Sequence, residues 1–260
     1  MDIFRFYLIN QIMRPEIIGS QIIRLEYVDS TNEYCHKLLR DGNITEGTIV
    51  VAEEQTSGKG YGTNIWESEK GKNLTFSIVL FPEFLDASRQ FMLTMAISLG
   101  ITDVISLYDN TVSIKWPNDI MIGEKKAGGI LIENVIQENK IISSVLGIGL
   151  NINQTGFDDF LPRAVSLKDI VGGDIDKEEF LSLLCNAIDK RYILLKNDNE
   201  DIIRLEYTSS LYRFDMLSTF EDKTGKFMAK IIDIAVSGRL IVKKESGEIK
   251  EYDFKEIIFI

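Results

Sequence analysis

A chain of 260 residues, 45% of them apolar, is long enough for one large core with a smaller second domain, and its composition is that of an ordinary globular protein. Forty acidic against 29 basic residues leave a formal net charge of −11, which argues against a nucleic-acid partner: phosphate backbones are held by a basic face. Cys35 and Cys185 match no metal spacing, no signal peptide opens the chain and no apolar run approaches the roughly 20 residues of a spanning helix, so a reduced, cytoplasmic protein with no membrane contact is expected.

Ile22 to Val28 reads as a strand and Asp29-Ser30-Thr31-Asn32-Glu33 as the start of a helix, with Ser30 and Glu33 at capping-box spacing. Tyr34, Leu38 and Leu39 share one side of that helix, which ends near Asp41-Gly42. His36, mid-helix, has no second histidine with which to build a metal site and reads as packing or surface. Gly47 to Glu54 is a strand buried on both faces for most of its length, and it runs into Gln55-Thr56-Ser57-Gly58-Lys59-Gly60-Tyr61-Gly62, continuing to Trp66. Glycines at alternate positions after a strand suit a phosphate-cradling loop, because absent side chains expose backbone N–H groups; a flexible surface loop shows the same pattern. Neither the Walker spacing nor the dinucleotide fingerprint is present. Asn73 to Phe81 is a strand closed by Pro82, and Phe91, Met92, Met95, Ala96, Leu99, Thr102 and Ile105 recur at helical spacing.

Val112 to Ile114 delivers the polar cluster Lys115-Trp116-Pro117-Asn118-Asp119, Ile120 to Ile122 resumes a strand, and Gly123-Glu124 turns the chain back: the grammar of a hairpin. Lys126 precedes Ala127, Gly128 and Gly129, so cations, an amide, a carboxylate and bare backbone converge on one segment. Strands over 129–136 and 141–150, split by a turn at 137–140, make this part of the sheet antiparallel. Gly147 and Gly149 inside the second strand signal a close approach by ligand or backbone, or a kink. Helices follow over 164–170, 177–195 and 202–211, and from Asp215 short strands over 216–220, 227–235, 239–243, 249–254 and 256–260 read as a small barrel. Spacing alone stops at an anion-binding α+β enzyme.

Lys115-Trp116-Pro117-Asn118-Asp119 followed by Lys126-Ala127-Gly128-Gly129-Ile130-Leu131-Ile132-Glu133 resembles the signature of the biotin protein ligases, and the likeness covers about residues 22 to 260. It implies an α+β fold: a mixed, largely antiparallel sheet covered by helices, of the class II aminoacyl-tRNA synthetase and biotin ligase type, as a catalytic domain over 1–213, with an SH3-like β-barrel over 214–260. The implied cofactors are ATP, biotin and Mg²⁺, and the implied acceptor is the biotin carboxyl carrier protein domain of a biotin-dependent carboxylase. Lys126 is then the catalytic cation. Biotin falls to Ser30, Thr31, Asn32, Gln55, Gly58, Lys59, Gly60, Gly129, Ile130, Gly147 and Leu150. The nucleotide falls to Lys59, Tyr61, Asn64, Trp66, Lys115, Asn118, Asp119 and Asn151, with Asp119 also the ligand to magnesium. Gln55, Gly58, Gly60 and Trp66 match the family's loop; Lys59 replaces its central arginine, and Tyr61 and Asn64 stand where many members carry further arginines.

An acyl-adenylate is a mixed anhydride that water destroys, so the glycine loop is expected to act as a lid, mobile without ligand and ordered with it. Fewer than about 25 residues precede the first strand, too few for the winged helix through which some members bind DNA, so a ligase without a DNA-binding role is expected. Monomer and homodimer both stay open. The rival readings are a lipoate or octanoate ligase of the same superfamily and a non-catalytic sensor of the biotinyl-adenylate.

Overall fold

The computed structural model describes residues 15–62, 64–157 and 163–260; the N-terminal segment read above for targeting signals, and Thr63 of the glycine loop, lie outside these. Seven strands form the main sheet: β1 Ile22–Leu25, β2 Ile49–Ala52, β3 Leu74–Leu80, β4 Val112–Lys115, β5 Asp119–Ile122, β6 Lys125–Gln137 and β7 Lys140–Leu150. Their order is β1-β2-β3-β7-β6-β5-β4; β1 and β2 run parallel and every other pair antiparallel, so the expected mixed, largely antiparallel sheet is present. Adjacent hairpins account for the antiparallel half, since β4 to β7 follow one another through tight turns.

Helices cover both faces. Helix α1, Thr31–Arg40, lies over β2, β3 and β7, where Cys35, Val50, Val79 and Val145 form a small dry cluster. Helix α2, Phe91–Ile105, packs with α4, Lys177–Lys196, and α5, Glu200–Ser209; the short α3 spans Leu167–Val171. With helices on both sides, β2 and β3 are buried at every position, which is why their sequences read as continuous apolar runs. Asp189 on α4 ties in the segment before β1: its carboxylate accepts the backbone N–H groups of Glu16, Ile17 and Ile18 at 2.8, 3.0 and 2.8 Å. Asp189→Ala orphans these donors and is expected to lower unfolding stability by about 3 kcal/mol, visible as a drop in the urea midpoint at unchanged slope. An unmoved midpoint would show that water replaces the carboxylate at no cost.

Ser30 corrects one local expectation. It is the N-cap of α1, yet its side chain makes no capping bond, and Glu33 pairs with Lys59 instead of reaching back. The amide of Thr31 is satisfied from a distance by Gln55 Oε1 at 2.8 Å, so tertiary structure supplies the cap. A capping box does form, at Ser166 and Asp169 of α3.

A second sheet of five strands follows, β8 Ser218–Asp222, β9 Gly225–Ile234, β10 Leu240–Lys244, β11 Ile249–Tyr252 and β12 Ile258–Phe259, in the order β11-β10-β9-β8-β12. It is docked on the central hairpin: Trp116 Nε1 donates to Gly238 O at 2.9 Å, and the Phe254 ring sits 5.2 Å from Trp116 and 6.0 Å from Phe91, centroid to centroid. Trp116 is therefore a buried strut between the two sheets.

Candidate active site

A cavity of ≈ 260 Å³ opens between the glycine loop, the N-terminus of α1, the β5–β6–β7 surface and the β11–β12 connection. Its deep end is a closed hydrogen-bond network. Gln55 Oε1 accepts from both the amide and the hydroxyl of Thr31 at 2.8 and 3.0 Å, and Ser77 Oγ lies 2.7 Å from Thr31 Oγ1 and 2.6 Å from Asn32 Oδ1. Asn32 Nδ2 donates to Glu133 at 2.7 Å, and His36 Nε2 stands 3.2 Å from the same carboxylate, so His36 braces this network rather than binding metal. Ser30, Thr31 and Asn32 are all buried while lining the cavity.

Along the floor runs β7. A Cβ at Gly147 would overlap the Asn32 carboxamide, 3.0 Å from its Cγ, and one at Gly149 would stand 2.6 Å from Trp66 Cζ2. These two glycines exist because a side chain and an indole lie directly on the strand, which resolves the alternatives left by the sequence in favour of close approach. Trp66 is held by its amide, which donates to Gly58 O at 2.9 Å, and its own Nε1 is buried without a partner among the described residues. Buried donors are rarely left so, and an acceptor on a ligand would satisfy this one.

Two residues further along the register, β7 pairs Gly149 with Gly129, and Gly129 faces Asp119 on β5. Here Lys126 Nζ pairs with Asp119 Oδ1 at 2.6 Å, beside the bare backbone of Gly129. Asn118 is clamped to β6, its Nδ2 donating to Ile130 O at 2.5 Å while its own carbonyl accepts the Ile130 amide at 3.0 Å. Roughly 7 Å of strand rise from Gly147 to Gly149, and the step from β7 across β6 to Asp119 on β5, separate the hydroxyl–amide network from the lysine–aspartate pair, with Leu131, paired with Gly147, as apolar lining on that face.

Of the expected site residues, Gly58 stands behind the wall, and Leu150, Asn151 and Lys115 are not part of the lining. Leu150 is buried on the opposite side of β7 against Gly128, as strand alternation requires. Asn151 turns to the backbone, its Nδ2 donating to Lys126 O at 3.4 Å. Lys115 occupies a neighbouring cleft with Arg163, Arg213 and Phe259, sharing only Asp119 and Lys126 with the main cavity. Burial lowers its pKa, and repulsion from Lys126, Arg163 and Arg213 works the same way against the pull of Asp119. Lys59 does line the cavity, but its ammonium is bound to Glu33 of α1.

Sequence reasoning missed Thr75, Pro117 and Ile148, and above all Phe254 and Lys255, which the second sheet brings to the mouth opposite Tyr61. Nothing local in Asp253-Phe254-Lys255 announces a role about 190 residues from the loop it meets. Among the described residues no cluster of three acidic, histidine or cysteine side chains forms that would hold a metal by itself, and no helix is long and apolar enough to cross a membrane.

The model of the biotin/lipoate A/B protein ligase family matches residues 25–151. The bifunctional ligase/repressor BirA of Bacillus subtilis is 32% identical over 248 residues, 92% of this chain and 74% of that protein. The biotin–[acetyl-CoA-carboxylase] ligase of Mycobacterium tuberculosis is 27% identical over 199 residues, 73% of each chain. Among solved structures, a biotin protein ligase from Aquifex aeolicus in complex with biotin and ATP superimposes with a TM-score of 0.77 at 27% identity, covering 93% of this chain and 99% of that one.

Proposed function

The chain belongs to the biotin protein ligase family, and from that premise we propose that it condenses biotin with ATP to biotinyl-5′-AMP, releasing pyrophosphate, and passes the biotinyl group to a lysine of a biotin carboxyl carrier protein domain, releasing AMP. The observation that carries this reading is one cavity with a hydroxyl–amide network at one end, an apolar middle under an indole, and a lysine–aspartate pair further along and across the sheet. That order matches a ureido ring, an aliphatic chain and a carboxylate.

The chemistry follows from the residues. Ser30, Thr31, Asn32 and Gln55 offer donors and acceptors to the ureido group, and Gly58 and Gly60 shape the loop that closes on it. Ile130, with the bare backbone of Gly129 and Gly147, leaves room for the chain. Biotin's carboxylate must then approach the α-phosphate of ATP, two anions that repel. The Lys126 ammonium, already oriented by Asp119, neutralises both as charge builds on the phosphorane oxygens. Trp66 stacks on the adenine and keeps water from the mixed anhydride. Tyr61, Asn64 and Asn118 border the same space. Asn151 supports it by holding the backbone of Lys126, and Leu150 by packing beneath Gly128. Magnesium typically takes one or two carboxylates and completes its shell with water and substrate phosphates. The single free edge of Asp119 suits an ion that arrives with ATP, where it would offset phosphate charge. Lys115, with Arg163 and Arg213, extends the positive field behind that pair.

Residues 1–213 form the catalytic domain in this reading, and 214–260 an SH3-like barrel whose second-sheet topology and docking on Trp116 support a built-in role in the site. The decisive experiment is substrate-dependent ATP–pyrophosphate exchange with biotin against lipoate, followed by transfer of labelled biotin to a carrier domain. Exchange with biotin and transfer to the carrier are expected. Preference for lipoate would move the chain to the other branch of the family, and adenylate formation without transfer would make it a sensor.

A further inference from the structure

We propose that Lys255, delivered by the second sheet, is the cation that grips the phosphates of the nucleotide in this protein, in place of any side chain of the glycine loop; the inference rests on the ATP-dependent reading above. Three lysines line the cavity. Lys59 is bound to Glu33 of α1, and Lys126, held by Asp119, is already assigned to the reacting carboxylate and α-phosphate. Lys255 is exposed at the mouth and, among the described residues, enters no ion pair or hydrogen bond. Among the described residues its charge meets a ring: Nζ lies 5.4 Å from the centroid of Tyr61, which leaves its N–H donors for an incoming oxyanion.

The backbone is arranged for this placement. Lys255 has φ +67°, the left-handed region that glycine fills readily and a side chain disfavours, so the chain holds a lysine at a position whose conformation argues for glycine. Across the gap the Lys255 ammonium sits beside Gly62, whose own φ of +70° favours glycine and leaves open space next to it. Phe254 fixes the approach by packing against both Trp116 of the central hairpin and Tyr61 of the loop, 5.2 and 5.8 Å between centroids. The neighbouring loop residues Tyr61 and Asn64 carry no charge to do the same work. A free ammonium between the loop and the catalytic hairpin would therefore bind phosphate oxygens and close the loop through its contact with Tyr61.

The test is biotin-dependent pyrophosphate exchange with the full chain. Lys255→Gln is expected to raise KM for ATP about tenfold while KM for biotin and the melting temperature stay unchanged, the loss of one charge-assisted hydrogen bond. Lys255→Arg should keep ATP affinity, and Lys255→Gln combined with Asn64→Arg should recover it by returning a cation to the loop. Lys255→Gly, which relaxes the left-handed backbone, should lose ATP affinity equally without losing stability. A KM for ATP within twofold of wild type in both Lys255→Gln and Lys255→Gly, or an equal rise in KM for biotin, would overturn the assignment. Absence of biotin-dependent exchange in the unaltered protein would instead overturn the reading on which it rests.

Discussion

Lys126→Ala is expected to slow biotinyl-adenylate formation by about 10³-fold, the cost of removing one preorganised charge from a developing oxyanion. The lysine starts from a fixed base: its amide donates to Arg163 O at 2.6 Å and its carbonyl accepts the Val165 amide at 3.0 Å, so its backbone is pinned to the 163–165 segment. Its ammonium is then aimed by Asp119. Because the hydroxyl–amide network proposed to hold the ureido ring lies over β7 and not beside the Lys126–Asp119 pair, biotin affinity should fall only a few-fold. The split is measured by single-turnover adenylation alongside calorimetric titration with biotin. A variant that adenylates at the wild-type rate would remove Lys126 from the chemistry and leave it as a structural partner of Asp119. Lys126→Arg keeps the charge but not the compact ammonium, so only partial recovery is expected.

The second large effect is expected at Gly149, a residue with no functional group. Adding one methyl places a carbon 2.6 Å from Trp66 Cζ2, inside the ring's contact surface, with the strand pinned between β3 and β6 and unable to retreat. The indole must leave. Gly149→Ala should therefore raise KM for ATP by about 30-fold, roughly 2 kcal/mol, the value of one aromatic platform for a base. Trp66→Ala should cost the same, and the double variant no more than either, because the two changes destroy one interaction. Additive losses would mean that Gly149 acts independently of the indole. Both variants should keep the fold, since Trp66 lies on the sheet and not in its core.

The amino-acid sequence by itself determined the strands and helices and the segments that carry chemistry. Hairpins declare themselves locally: Pro117-Asn118-Asp119 and Gly123-Glu124 are turn residues between apolar runs, and β4 to β7 formed around them. Alternation and helical spacing likewise foretold β3, α2 and α4, because burial on one or two faces leaves a period in the chain. The Lys126-Ala127-Gly128-Gly129 segment and the glycine loop were legible for the same reason: bare backbone beside a cation is a local statement.

Tertiary structure alone decided who meets whom. It gave the start of α1 its cap from Gln55, bound Lys59 to Glu33 and set His36 on Glu133. It turned Leu150 and Asn151 away from the cavity, moved Lys115 into the cleft behind and carried Phe254 and Lys255 to the mouth from the far end of the chain. A side chain's period fixes which face it takes, but its partner is chosen by the packing of two sheets and their helices at once, a sum over distant residues that no single stretch of sequence contains.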